Sequence, residues 1–90
     1  MSESIDIKLQ LAAIALAQEQ SYRRAAERLN ISVRTLGRRI RKLESHLEFT
    51  VFQNSRGRIE VTKNGEAFMT ECRSFVLRRA GNLGNKTPNG

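Results

Sequence analysis

The side chains best equipped for chemistry in this chain are basic, and they gather on one short stretch. Arg34, Arg38, Arg41 and Lys42 lie within VRTLGRRIRKLESHL, where Leu36, Ile40, Leu43 and Leu47 recur at helical spacing. At about 100° per residue these four aliphatic residues form one apolar stripe. The three arginines stand opposite the stripe, with Lys42 beside them. A guanidinium can donate two hydrogen bonds to O6 and N7 of a guanine in a major groove, which is about 12 Å wide and admits a helix. Arg34 and Arg38, nearer the helix start, are placed to reach base edges, and Arg41 and Lys42 to meet phosphates. The competing reading is a solvated face paired with Glu27 or Glu44. Catalysis has far less to work with. There is one histidine, His46, one cysteine, Cys72, and no carboxylate cluster around either. No P-loop, dinucleotide-binding glycine motif or zinc-ligand spacing occurs. No catalytic residue, metal ligand or cofactor is therefore expected, and an enzyme is not.

The elements around this stretch must hold it at a surface. Upstream, YRRAAERL reads as a short helix in which Ala25 and Ala26 let another helix approach closely, with Leu29 on the same face. Asn30 falls where a sharp turn needs positive φ, which asparagine tolerates. Ser32 stands as N-cap of the next helix, Val33 to Leu47, and Ser21 as N-cap of the one before. Arg23 and Arg24 open that earlier helix, whose free N–H groups can face a phosphate. Helix, tight turn and helix with a polar outer face is the layout of a DNA-reading helix-turn-helix.

A first helix over Ile5–Gln18 is apolar almost all round and needs contacts on more than one side. It is read as a core helix, with a second face that could seat the C-terminal helix of the chain or of a partner. Residues 48–61 hold two β-prone pieces, Thr50–Phe52 and Arg58–Val61, around the loop Asn54–Gly57. After a helix-turn-helix such a hairpin is a wing, and Arg56 and Arg58 at its tip can reach phosphates or a minor groove. Thr62 reads as the cap of a helix from Lys63 to about Ala80. Its apolar residues include Phe68, Met69, Cys72, Phe75 and Val76, a stripe wider than one hairpin can cover. Packing on the first helix accounts for part of it and pairing with a second copy for the rest. Cys72 on this stripe is read as a buried inert thiol, with a redox-sensitive contact across a dimer axis as the alternative. The tail Gly81–Gly90 reads as a helix stop followed by disorder.

Ninety residues make one small domain, for which self-association would help. Sixteen Lys and Arg against nine Asp and Glu give a net charge of +7 and suit a polyanion. No apolar run approaches the length of a membrane span, and MSESIDIK lacks the features of a signal peptide. A lone cysteine excludes an internal disulfide and fits a reducing cytoplasm.

AAERLNIS, then LGRRIRKLESHL, VFQNSRGRIEVTKNGEAF and a further amphipathic helix, resembles the N-terminal winged helix-turn-helix domain of LysR-type transcriptional regulators over residues 7–80. The resemblance implies a mainly α fold: three helices plus a short two-stranded wing, followed by a C-terminal linker helix that pairs antiparallel with its twin. Residues 1–62 would form the DNA-binding domain, 63–80 the dimerisation helix and 81–90 a disordered tail. The partner would be double-stranded DNA bound by a homodimer in the cytoplasm, nucleoid-associated, with no membrane contact. The DNA-facing set would comprise Ser32, Val33, Arg34, Thr35, Gly37, Arg38, Arg41, Lys42, Arg23, Arg24, Arg56 and Arg58. Typical family members read Ser-Gln-Pro-Ala-Leu-Ser-Arg-Gln-Ile at the start of the recognition helix. Here Ser32, Leu36, Arg38 and Ile40 match, whereas Val33 replaces a polar reader, Arg34 a proline and Gly37 a serine. These departures imply an altered sequence preference, with a valine able to touch a thymine methyl and a glycine allowing close backbone approach. Asn54 stands where the wing often has arginine, and Glu48 where a glycine follows the helix. Family members continue into an effector-binding domain, so no small-molecule effector site is expected within these residues. Two other functions fit the same residues: a low-specificity architectural DNA-binding protein, and an interaction module that pairs with a full-length relative.

Overall fold

The computed structural model describes the backbone of residues 6–84 and the side chains of residues 6–74. The elements are α1 (Ile7–Glu19), α2 (Tyr22–Leu29), α3 (Val33–Leu47), β1 (Phe52–Ser55), β2 (Arg58–Val61) and α4 (Lys63–Gly84).

Local chemistry explains most of these boundaries. The Asp6 carboxylate accepts the Lys8 N–H at 2.9 Å, so α1 begins just after Asp6 rather than at Ile5. Ser21 Oγ accepts the Arg24 N–H at 3.1 Å and Ser32 Oγ the Thr35 N–H at 3.0 Å, which start α2 and α3. Gln20, Asn30 and Glu48 close the first three helices in the left-handed region, at φ 57°, 60° and 66°. Only Asn30 is a residue type that enters this region readily.

Helix α1 is the centre of the molecule and packs against α2, α3, β2 and α4. Leu9, Ala12, Ala13, Ala15 and Leu16 bury its sides. They meet Ala25 and Ala26 of α2, Leu36, Ile40 and Leu43 of α3, and Met69 of α4 in one cluster. The alanines matter because they let helix axes approach closely while longer side chains fill the space between them.

The wing is an antiparallel pair in the register Phe52–Val61, Gln53–Glu60, Asn54–Ile59 and Ser55–Arg58. Its turn is only Arg56–Gly57, with φ of 55° and 81°. Positive φ at both central residues matches the twist of the strands, and Asn54 Oδ1 accepts the Gly57 N–H at 3.2 Å. The sequence expectation of a strand over Thr50–Phe52 and a loop over Asn54–Gly57 is thus corrected: Asn54 and Ser55 belong to the strand. Thr50 and Val51 turn instead towards the start of α4. The Thr62 N–H donates to Val51 O at 2.8 Å, and Thr62 Oγ1 donates to Thr50 O at 2.6 Å. The same hydroxyl accepts the Gly65 N–H at 3.0 Å, so Thr62 does cap α4.

Helix α4 continues to Gly84, past the stop expected at Gly81. One interior glycine costs a helix about 1 kcal/mol, too little to end it unaided. The rest of the expected disordered tail, residues 85–90, lies outside the described residues.

Candidate nucleic-acid interface

The reverse side of α3 is locked into the core by Leu36, Ile40 and Leu43, so its orientation is set by packing. Its outer side presents Val33, Arg34, Arg38, Arg41 and Lys42, all exposed. Among the described residues, no carboxylate lies within ion-pair distance of these cations. The ion pair that does form, Arg28 with Glu19 at 3.2 Å, belongs to α2 and α1. The alternative of a self-neutralised face therefore fails for Glu44 on direct grounds. Its carboxylate accepts the Val51 N–H at 2.7 Å and the Phe52 N–H at 3.1 Å. Glu44 thus ties the last turns of α3 to the base of the wing, a role that its appearance as a surface charge had hidden. From the other side, the Ile59 N–H donates to Gln20 O at 3.1 Å, which anchors β2 to the α1–α2 link.

Tyr22 sits half-buried within reach of these charges. Burial raises the pKa of its phenol, and the Glu44 carboxylate adds to the rise while Arg41 opposes it. The raised pKa keeps the phenol neutral at ordinary pH.

Ser32 and Thr35 hold each other: the Ser32 hydroxyl donates to Thr35 Oγ1 at 3.0 Å while accepting the Thr35 N–H. Their chief task is to build the first turn of α3. Thr35, Arg38, Arg39 and Lys42 surround a shallow hollow on the helix surface. Arg39 was not among the expected interface residues. It flanks the apolar stripe next to Ile40 and is half-buried, as a long basic side chain is when its stem lies along apolar surface. That flanking position was the available signal. Arg23 and Arg24 are exposed at the start of α2, and Arg56 and Arg58 are exposed at the wing tip. The structure gives Gly37 open space: a Cβ added there would find only Arg41 Nη1 within 4 Å beyond its own helix backbone, at 3.7 Å.

The expected pairing face on α4 needs correction. Met69 and Cys72 are 2% and 3% exposed within the single chain, because they face α1. Cys72 Sγ lies 3.6 Å from Gln10 O and 3.8 Å from Gln10 Oε1. Burial pushes its thiol up to about 11, with Arg73 pulling slightly the other way. Residues already consumed by the core cannot also form a partner surface. Phe68 is half-buried and lines a groove with Leu47, Phe49, Asn64, Ala67 and Glu71. The side chains of Phe75 and Val76 lie outside the described residues. Ile7 and Leu11, one turn apart on α1, are exposed at 38% and 40%. Among the described residues no group of His, Cys, Asp or Glu could hold a metal ion, and no helix is long and apolar enough to cross a membrane.

Comparison with known proteins adds to this geometry. The family model described as bacterial regulatory helix-turn-helix protein, lysR family, matches residues 8–66. The uncharacterized HTH-type transcriptional regulator YcgK of Bacillus subtilis (strain 168) is 35% identical over 75 residues, covering 83% of this chain and 23% of its own length. The HTH-type transcriptional regulator AlsR of the same organism is 32% identical over 65 residues, 72% of this chain and 22% of its own length. This chain therefore spans roughly a quarter of the length of these curated relatives. Among solved structures, the CbnR DBD–DNA complex superposes with a TM-score of 0.77 at 30% identity, covering 88% of this chain and 90% of that one. The BenM DBD/benA site 1 DNA complex reaches a TM-score of 0.81 at 24% identity, covering 87% and 88%, and shows the fold alone. The chain belongs to the LysR family, and its four helices and two-stranded wing are the winged helix of that family's DNA-binding domains.

Proposed function

From this family membership we propose that the chain is the sequence-reading unit of a transcriptional regulator and binds duplex DNA as a dimer, with α3 in the major groove. The observation that carries the proposal is the outer face of α3: exposed Arg34, Arg38, Arg41 and Lys42, with no carboxylate partner among the described residues, on a helix whose reverse side buries Leu36, Ile40 and Leu43. That CbnR, 30% identical to this chain, was solved with DNA supports the same partner here. Arg34 and Arg38 read base edges. Val33 and Gly37 shape that contact, with Ser32 and Thr35 holding the first turn in place. Arg23, Arg24, Arg41, Lys42, Arg56 and Arg58 contact the backbone, and Arg39 joins them through the hollow it shares with Lys42. Dimerisation uses Phe68, Phe75 and Val76 of α4. Replacing Val76 by glutamate should give a monomer by sedimentation, and a persistent dimer would move the interface elsewhere.

The test of DNA reading is selection from a random duplex library at near-physiological salt. An enriched inverted repeat, with half-sites spaced by whole or near-whole helical turns, is expected. Retention without enrichment would leave backbone binding of the architectural kind. No retention would overturn the proposal and favour pairing with a full-length relative.

A further inference from the structure

Among the described residues three large apolar side chains are exposed, and one of them stands among the arginines. Val33, at the first position of α3, is 48% exposed, more than Ile7 or Leu11. An isopropyl group gains nothing from water, and the described residues leave about half of it uncovered. Its surroundings are cationic: Arg34 is next in sequence, and Arg38 lies one turn on from Arg34. One turn along from Val33 itself lies Gly37, on the same strip of the helix. The next residue on that strip is Arg41, whose Nη1 would be 3.7 Å from a Cβ at position 37. The strip therefore runs from an apolar knob, over bare backbone, to a guanidinium. A second chain of protein would have to desolvate the flanking cations. A DNA major groove would neutralise them and offers one apolar group, the 5-methyl of a pyrimidine.

We propose that Val33, with the side-chain-free space at Gly37 beside it, is a seat for a pyrimidine 5-methyl group next to a base contacted by Arg34. The proposal rests on the DNA-reading function proposed above and names what one position of the half-site must carry. Thymine carries the methyl group intrinsically and 5-methylcytosine by modification. Phosphate contacts cannot distinguish either base from its unmethylated form, so the seat is detectable separately from overall affinity.

The test uses the duplex enriched from the library, with each thymine replaced in turn by deoxyuridine, and titrates the wild-type chain and Val33→Ala against each. One uracil position per half-site should weaken wild-type binding roughly fourfold, the loss expected for one buried methyl group. Val33→Ala should bind the thymine and uracil duplexes equally. Because Val33 is exposed, its truncation should leave the thermal melt unchanged, and the uracil comparison on the wild-type chain needs no variant at all. If the enriched position is cytosine, 5-methylcytosine should tighten binding by a similar factor and identify modified DNA as the source of the methyl. Wild-type binding that is blind to the methyl at every position overturns the seat, as does discrimination that survives in Val33→Ala. Neither result touches the DNA-reading function, which fails only if no duplex is enriched.

Discussion

Two glycines, each near the start of a helix opened by a hydroxyl cap, answer to different demands. Gly65 follows Thr62 in α4, and a Cβ there would sit 2.7 Å from Val51 O and 2.9 Å from Val51 Cα. Gly37 follows Ser32 in α3, and a Cβ there would make one ordinary contact, with a flexible guanidinium at 3.7 Å. The fold needs the first glycine, because the start of α4 lies against the backbone that leads into the wing. It does not need the second, whose empty space faces outward beside Val33, Arg38 and Arg41. A residue that costs helix stability and relieves no internal crowding points to something outside the chain. The same division runs through the two helices: α4 packs Met69 and Cys72 on α1, whereas the cationic face of α3 has no carboxylate partner among the described residues.

The largest effect that could break this contrast is at Gly65. Gly65→Ala should destabilise the fold by about 3 kcal/mol, since the opposing atoms are backbone and cannot rotate away. Urea unfolding measures it, and a loss under about 1 kcal/mol would show that the contact yields. Cys72 tests the buried side of α4 by pH. The folded thiol keeps its proton up to about 11, from an ordinary value of 9.0. Below the lower value both states are protonated and the contribution is flat. Between the two the unfolded state holds fewer protons, so stability should fall with rising pH, by up to about 3 kcal/mol in all. Cys72→Ala should lack this component, and the difference between the two pH profiles isolates it from the lysines and tyrosine. Gly37→Ala should move stability and binding in opposite directions. The melt should rise, by up to about 1 kcal/mol in stability, while affinity for the enriched duplex falls. A variant that gains both would leave Gly37 without a DNA role.

How far the sequence revealed this molecule depends on where each signal lay. The α2–α3 unit was legible because its punctuation is local: Ser21, Asn30 and Ser32 each act within a few residues of their own position, and the aliphatic stripe of α3 is unbroken. Positions set by distant contacts were not legible. Gln20 and Glu48 adopt positive φ although neither residue type announces it, their N–H groups closing the helices onto Leu16 O and Glu44 O. Arg56 in the turn had the same effect on the wing, where a non-glycine residue at positive φ shortened the loop and moved β1. For α4 the stripe was correctly seen as apolar, but periodicity cannot say which surface covers it, and α1 took Met69 and Cys72. Glu44 was weighed as an ion-pair partner because a carboxylate near arginines reads that way. Only the folded chain shows it accepting two backbone N–H groups 7 and 8 residues away.

The central claim is that α3 reads bases rather than merely charge, and it is tested most directly by comparing Arg38→Ala with Lys42→Ala. Both would be titrated against the enriched duplex and a scrambled one over a range of salt. Arg38→Ala should cost roughly 1–3 kcal/mol on the enriched duplex and much less on the scrambled one, relaxing the preference between them. Lys42→Ala should weaken both alike and reduce the salt slope by about one. Equal losses on both duplexes from both variants would contradict the account and leave α3 a cationic surface without sequence preference.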